Sequence, residues 1–344
     1  MKLLYAVQAT GNGHITRARA MLPALQRAGI EIDFLFSGRE KDRLFDMQCF
    51  GDFQHYQGFT FITADGKVQS WKTLKQAKLK QFWSDVNNLD LSRYDLLLND
   101  FEPVSAWAAR RQRIPSIGLA HQYALRYALP GTEKSFWLKP AIDFFTPLDR
   151  YLGVHWHHFD QAILPPLLSL SNRHSVSDEG DKQAFILVYL PFESLDKVVQ
   201  WLQRFPCTQF KIYADIVEAR SLGHIQIHPL CRQAFPRDLK LCEGVISNTG
   251  FGLSSEALML GKKLLTKPLA GQIEQYSNAC ILKQMGKAQV MHSLDANKLE
   301  NWLTQESIAP IHYPNVAEHI AQWLVSGEDS RAETLVKTVW QEVN

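Results

Sequence analysis

The chain has 344 residues, 46% of them hydrophobic and 21% charged, with a formal charge of +2. That length exceeds one ordinary core and sets two domains as the expectation, while the near-neutral charge argues against a generic nucleic-acid binder. The five cysteines (Cys49, Cys207, Cys231, Cys242, Cys280) are scattered and never form a C-x-x-C pair, which favours free thiols in a reducing compartment over disulfides or structural zinc.

No apolar run approaches the ~20 residues that a membrane span needs. The opening "MKLLYAVQATGNGH" lacks the full apolar region and cleavage site of a signal peptide. The expected location is therefore cytoplasmic, with the inner face of a membrane as a possible peripheral site.

Strand and helix signals alternate along the chain, the pattern of an α/β protein with mostly parallel sheets. In the first half "KLLYAVQ", "EIDFLFSG", "FTFITA", "YDLLLND", "PSIGLAHQ" and "YLGVHW" read as strands, with helices over Ile15–Ala28 and Glu102–Gln112. Near Leu168 the texture changes to "SLSNRHSVSDEGDKQ", a loop or linker by composition. A second series follows: "AFILVYLP", a helix over Ser194–Phe205, then "QFKIYAD", "IQIHPL", "GVISNT", "KLLTKPL" and "AQVM". The expected domains are 1–168, a linker at 169–183, a second domain at 184–328, and a C-terminal helix at 329–344 that packs back on the first. Ligands of open parallel sheets collect at the carboxyl ends of the strands, so a cleft between two Rossmann-like domains is the expected site.

Two strand-turn-helix junctions carry the chemistry. In "VQATGNGHITRARAML" a glycine turn brings His14 to a helix start. Histidine's ordinary pKa of ~6.5 leaves the imidazole mostly neutral at pH 7, as a general base requires. The positive end of a helix also disfavours imidazolium. The turn matches neither G-x-x-x-x-G-K-[ST] nor G-x-G-x-x-G, and a plain helix cap is the alternative reading. Asp100, ending "LLLNDFEP", could orient that imidazole as a carboxylate does in a triad. It or its neighbours Asn99 and Glu102 could equally cap the helix that begins near Pro103. His121 and Gln122, after the strand in "PSIGLAHQ", are further candidates by position. His155, His157 and His158 in "VHWHHFD" lack the spacing of a metal site, and none is expected.

The second junction is "GVISNTGFGLSSEALMLGKKLL". A helix N-terminus favours an anion, and Gly250 and Gly252 would let one approach the backbone closely. Ser254 and Ser255 could add donors, and Glu256, expected in the first turn, could accept two hydrogen bonds from a ribose diol. Leu253 stands where a capping box would need Ser or Thr, which weakens the alternative of a simple cap. The segment "HPLCRQAFPRDLKLC" follows in the right order to meet a base, with Phe235 near it.

From Thr249 to Gly286 the sequence "TGFGLSSEALMLGKKLLTKPLAGQIEQYSNACILKQMG" resembles the donor-binding signature of two-domain (GT-B) nucleotide-sugar glycosyltransferases. The likeness is to the UDP-glycosyltransferase superfamily and the peptidoglycan N-acetylglucosaminyltransferase family. The resemblance implies that Gly250, Gly252, Ser254 and Ser255 hold a diphosphate, Glu256 the ribose, and Gln272, Glu274 and Gln275 the donor sugar. The same families carry a glycine-histidine turn after the first strand, which implies acceptor binding by Gly11, Asn12, Gly13 and His121 and catalysis by His14 with Asp100. The usual Gly-Gly turn is Thr249-Gly250 here, and the usual Gly-Lys-Pro is Gly261-Lys262-Lys263.

The expected activity is thus an inverting glycosyltransferase with a histidine base and a donor linked to a nucleoside diphosphate, uridine-based by resemblance. No metal or other cofactor is expected. The acceptor is a saccharide, a lipid-linked compound or a small molecule. A nucleotide-sugar epimerase or a non-catalytic nucleotide-sugar sensor of the same architecture are the alternatives. The segment "SWKTLKQAKLKQFWSD" sets Lys72, Lys75, Lys78 and Lys80 beside Trp71, Phe82 and Trp83. It fits either a membrane-surface helix or a helix packed on its own domain.

Overall fold

A computed structural model describes residues 1–44, 46–58, 63–64, 67–68, 79–168, 184–231, 233–326 and 332–344. The proposed linker 169–183, the strand residues 59–62, Trp71, Lys72, Lys75 and Lys78, and residues 329–331 of the C-terminal helix lie outside them.

The chain divides into two compact units. Unit 1 comprises Met1–Ile62, Gln69–Ser169 and Tyr313–Asn344; unit 2 comprises Thr63–Val68 and Leu170–His312.

In unit 1 the elements run β1 (Lys2–Gln8), α1 (Asn12–Arg27), β2 (Glu31–Ser37), β3 (Phe53–Tyr56), α2 (Leu79–Asn88), β4 (Leu96–Asp100), α3 (Pro103–Gln112), β5 (Ser116–Ala120), α4 (Leu138–Phe145), β6 (Arg150–Val154) and β7 (Ile163–Leu164). Six parallel pairings order the sheet β3-β2-β1-β4-β5-β6-β7. The order reverses between β1 and β4, which is where a doubly wound sheet opens at its carboxyl edge. Both faces are covered: Leu3 to Val7 and Leu97 to Asp100 are buried at every position, so β1, and β4 as far as Leu98, read as apolar runs. Leu4, Ala6, Leu35, Leu97, Val104 and Ala108 form one core cluster with Phe82 and Val86 of α2. The apolar side of α2 therefore packs on its own domain, and Trp83 stays exposed on the outside.

Unit 2 repeats the plan with β8 (Phe185–Tyr189), α5 (Leu195–Leu202), β9 (Gln209–Ala214), β10 (Arg220–Leu222), β11 (Ile225–Pro229), α6 (Ala234–Leu241), β12 (Gly244–Asn248), α7 (Phe251–Met259), β13 (Lys263–Lys267), α8 (Ile273–Gln284), β14 (Gln289–Val290) and α9 (Ala296–Leu303). The sheet order is β10-β11-β9-β8-β12-β13-β14, parallel except for the edge strand β10. Its reversal lies between β8 and β12. Ile186, Val188, Phe210, Ile212, Ile246 and Leu265 of the strands close on Trp201 and Trp302 of the helices.

The chain then returns to unit 1 with α10 (Val316–Ser326) and α11 (Ala332–Trp340). Helix α10 packs against α1, with Arg27 on Glu318 at 2.7 Å. Trp340 donates from Nε1 to the Ile163 carbonyl at 2.7 Å. The sequence reading kept residues up to 328 in the second domain, whereas Tyr313–Asn344 groups with unit 1. The apolar stripe of α10 (Val316, Ile320, Leu324) is a generic helical pattern, and nothing in it names the surface it covers.

Candidate active site

In unit 1, the first helix starts at Asn12 with Gly11 as N-cap, so His14 is its third residue rather than a residue ahead of it. A Cβ built on Gly11 or Gly13 meets nothing within 4 Å, which leaves open space over the turn. Arg39 holds the turn from the side, donating to Asn12 Oδ1 at 3.1 Å and to the Thr10 carbonyl at 3.0 Å.

Sheet register delivers the partner. Val7 of β1 pairs with Asp100 of β4, so the residue ending β4 stands beside the turn leaving β1. His14 Nδ1 lies 2.7 Å from Asp100 Oδ1. Asp100 is wholly buried. Burial by itself pushes its carboxyl up, but Arg17 and His14 outweigh that and hold it below its ordinary value. An ionised carboxylate only accepts, so Nδ1 carries the proton, and in that neutral tautomer the lone pair is at Nε2. The amide nitrogen of Gln122 stands 3.5 Å from that Nε2, at the long limit of a hydrogen bond.

Capping of α3 falls to another residue. Glu102 is the N-cap of α3: its carboxylate accepts from the amides of Val104 and Ser105 and from the hydroxyls of Ser37 and Ser105. Phe101 separates the two acids in a left-handed conformation, φ 59°, which a bulky residue adopts only at a cost of roughly 1–3 kcal/mol. The turn sends Asp100 toward His14 and Glu102 onto the helix. His121 is buried, with its Nδ1 on the Val154 carbonyl at 2.9 Å. Of the two residues after β5, it is Gln122 that reaches His14.

The sequence reading missed Arg17. Its Nε and Nη2 donate to the two oxygens of Asp100 at 2.6 Å each. The signal was present, since residues three apart share a helix face.

In unit 2, helix α7 begins at Phe251, with Gly250 as N-cap and no side-chain cap. Glu256 consequently sits in the second turn and not the first, and Gly252 is already helical. A Cβ on Gly250 would meet nothing within 4 Å. Ser255 donates back to the Phe251 carbonyl at 2.7 Å, so its hydroxyl proton is used within the helix. Ser254 Oγ is buried without a hydrogen-bond partner, and so are Ser247 Oγ, Asn248 Oδ1 and Thr249 Oγ1. Three of these atoms belong to Ser247, Asn248 and Thr249 at the carboxyl end of β12 and the fourth to the helix that follows, and each costs roughly 1–3 kcal/mol. Asn278 Nδ2 fixes the turn through the Thr249 carbonyl at 3.1 Å. Lys267, paired in register with Asn248, brings a cation to the same edge, 2.6 Å from Glu193.

Glu256 is partly buried, and burial pushes its carboxyl up to about 7. On α8, Gln272 is the N-cap, accepting from the Gln275 amide. Glu274 lies in the first turn, and Gln275 Oε1 accepts from the Leu269 amide at 2.8 Å. Phe235 packs edge-on against Tyr189 and Tyr213. The lysines of Gly261-Lys262-Lys263 have structural partners: Lys262 Nζ bonds the carbonyls of Lys240 and Cys242, and Lys263 Nζ those of Leu303 and Gln305. Backbone amides of Trp156, Phe159 and Asp160 donate to Nδ1 of His155, His157 and His158 respectively. Among the described residues no three His, Cys, Asp or Glu side chains cluster as metal ligands would.

A family model described as glycosyl transferase family 1 matches residues 1–306. The chain belongs to glycosyl transferase family 1. It is therefore a glycosyltransferase, and both glycine turns fall within the matched residues. Among solved structures, the glycotransferase of kitacinnamycin is 15% identical over 97% of this chain and 92% of that one, with a TM-score of 0.60. MurG of Acinetobacter baumannii is 15% identical over 99% of both chains, TM-score 0.55. A UGT transferase from Siraitia grosvenorii, solved in complex with UDP, is 14% identical over 99% of both, TM-score 0.56. At such identities the likeness establishes the fold, two Rossmann-like units of the GT-B glycosyltransferase type. A comparison with curated proteins found no match. No helix among the described residues is long and apolar enough to cross a membrane.

Proposed function

We propose that this family 1 glycosyltransferase moves a sugar from a uridine-type nucleoside diphosphate donor to an acceptor hydroxyl, with inversion and with His14 as general base. The observation that carries the reading is the buried Asp100 held 2.7 Å from His14 Nδ1, which leaves Nε2 to take a proton. In the step, Nε2 takes the acceptor's hydroxyl proton as that oxygen bonds to the anomeric carbon. The anomeric bond to the diphosphate oxygen breaks, and its electron pair leaves with the diphosphate. A single displacement of this kind inverts the centre. Gly11, Asn12 and Gly13 line the acceptor side, with His121 supporting the segment behind it.

The leaving diphosphate is assigned to Gly250, Gly252, Ser254 and Ser255 at the positive end of α7. The uncapped helix start and the unpartnered Ser254 hydroxyl support this. Glu256 is assigned the ribose, whose two hydroxyls would satisfy a carboxylate that burial has disfavoured. Gln272, Glu274 and Gln275 are assigned the donor sugar. The UDP bound in the Siraitia grosvenorii neighbour supports the choice of base.

A lipid-linked acceptor would also explain the exposed aromatics of unit 1. Trp83 meets Trp107, and Trp107 meets Phe144, edge to face at 5.3 and 5.6 Å. Trp83 and Phe144 are exposed, as are Phe136 and Trp137. We assign the Trp83–Trp107–Phe144 face a peripheral contact with the cytoplasmic membrane surface.

The decisive test is His14→Ala, assayed for sugar transfer and separately for donor affinity. Transfer should fall by about 10²–10⁴-fold, the usual worth of a general base, with donor affinity kept. Retained transfer would remove His14 from the role. Sugar interconversion by the wild type with donor alone would favour an epimerase instead.

A further inference from the structure

We propose that Arg17 is a positioning residue that keeps His14 a free base, by drawing the charge of Asp100 onto itself while leaving the carboxylate to orient the ring. The proposal rests on the reading of His14 as base and asks what sets its strength.

A lone buried carboxylate against Nδ1 would do two things at once. It would orient the imidazole, and it would stabilise the imidazolium, which is the wrong state for accepting a proton. Arg17 separates the two effects. Its Nε takes Asp100 Oδ2 and its Nη2 takes Oδ1, each at 2.6 Å, while His14 Nδ1 keeps Oδ1 at 2.7 Å. Both members of the ion pair are nearly sealed from water, with side-chain exposures of 8% for Arg17 and none for Asp100. The side-on, two-point fork is the geometry in which guanidinium neutralises a carboxylate most fully. The imidazole therefore meets a pair of zero net charge.

A second contact acts in the same direction. Arg17 Nη2 lies 3.1 Å from His14 Nδ1. Both are donors when Nδ1 faces the carboxylate, so this is proximity without a hydrogen bond. A protonated ring would hold its positive charge against a guanidinium that cannot lose its own. Among the described residues, two further neighbours of this network are uncharged. Gln122, which follows β5, presents a neutral amide. Tyr5 of β1 is a buried phenol that burial and the neighbouring Asp100 keep protonated.

The test is the protonation midpoint of His14, followed by NMR of ring-labelled histidine with His14→Gln as the assignment control. It is measured beside the pH profile of transfer in wild type, Arg17→Gln and Arg17→Lys. In Arg17→Gln the midpoint and the acidic limb of the profile should rise together by at least about one pH unit. Below the midpoint that means about tenfold less free base. Arg17→Lys keeps a cation beside Asp100, and its midpoint should stay within about half a unit of wild type. A folded Arg17→Gln with an unmoved or lowered midpoint overturns the proposal. If Arg17→Gln does not fold, Arg17→Lys decides: a rise of a full unit there would mean that charge is not what Arg17 supplies. A rise of the NMR midpoint in Arg17→Gln while His14→Ala retains transfer would uphold the coupling and sink the general base, so the two failures are distinct.

Discussion

Glu256→Gln tests two properties of unit 2 at once, because the same carboxylate should weaken the empty fold and strengthen the occupied one. Burial lifts its pKa from an ordinary 4.5 to about 7, so the folded state holds the proton more tightly than the unfolded chain. The stability this supplies is complete below pH 4.5 and is lost as pH rises through about 7. Each unit is worth about 1.4 kcal/mol. At pH 8 the ionised wild type should therefore be about 3 kcal/mol less stable than the neutral amide, and at pH 4.5 less than about 0.5 kcal/mol. The opposite sign is expected for ligand. Losing a charge-assisted pair of hydrogen bonds to a diol costs about 1.5–3 kcal/mol, which is roughly 10–100-fold in affinity for UDP. Urea unfolding at pH 4.5 and pH 8, with calorimetric titration of UDP and of its 2′-deoxy analogue, measures both. Wild type should discriminate between the two nucleotides and the variant should not. A variant no more stable than wild type at pH 8 would refute the burial argument. Equal losses toward UDP and the deoxy analogue would refute the ribose assignment.

Replacing Asp100 by Asn should leave Arg17 buried without its counter-charge, at about 3–5 kcal/mol, and let the amide invert the His14 tautomer, lowering the transfer rate by up to about 10⁴-fold. Chemical denaturation and steady-state kinetics check the two parts. Because Asp100 is held below its ordinary value, its contribution to wild-type stability should persist at neutral pH and disappear as pH falls through the acid range, as acid titration would show. Gly261→Ala should destabilise unit 2 by about 1–3 kcal/mol, read by thermal unfolding, since the residue sits at φ 68° and a Cβ there would lie 2.8 Å from the Ile308 carbonyl oxygen. The double change Trp83→Ser and Phe144→Ser should weaken cosedimentation with anionic phospholipid vesicles by severalfold while leaving UDP affinity unaltered; equal sedimentation would remove the membrane face.

Much of this protein is fixed locally. The apolar runs of β1, β4, β8 and β12 and the glycine turns behind β1 and β12 follow from residue order alone, because a strand buried on both faces and a turn without side chains each leave an unmistakable pattern. His14, Asp100 and Glu256 stand out in the sequence because each titratable side chain follows such an apolar run or its glycine turn within a few residues. The start of α7 was not: Gly252 resembles a hinge in sequence, yet the chain becomes helical at Phe251, which moves Glu256 a turn inward. Nor did the residue pattern separate Asp100 from Glu102 as helix cap, a choice made by the left-handed turn at Phe101. The return of α10 to unit 1 and the Arg17–Asp100–His14 triad were decided by tertiary structure. Sheet order sets β4 beside β1, and only that adjacency converts residues more than eighty positions apart into hydrogen-bonding neighbours. Periodicity records which face of an element is buried, and pairing between strands decides what that face meets.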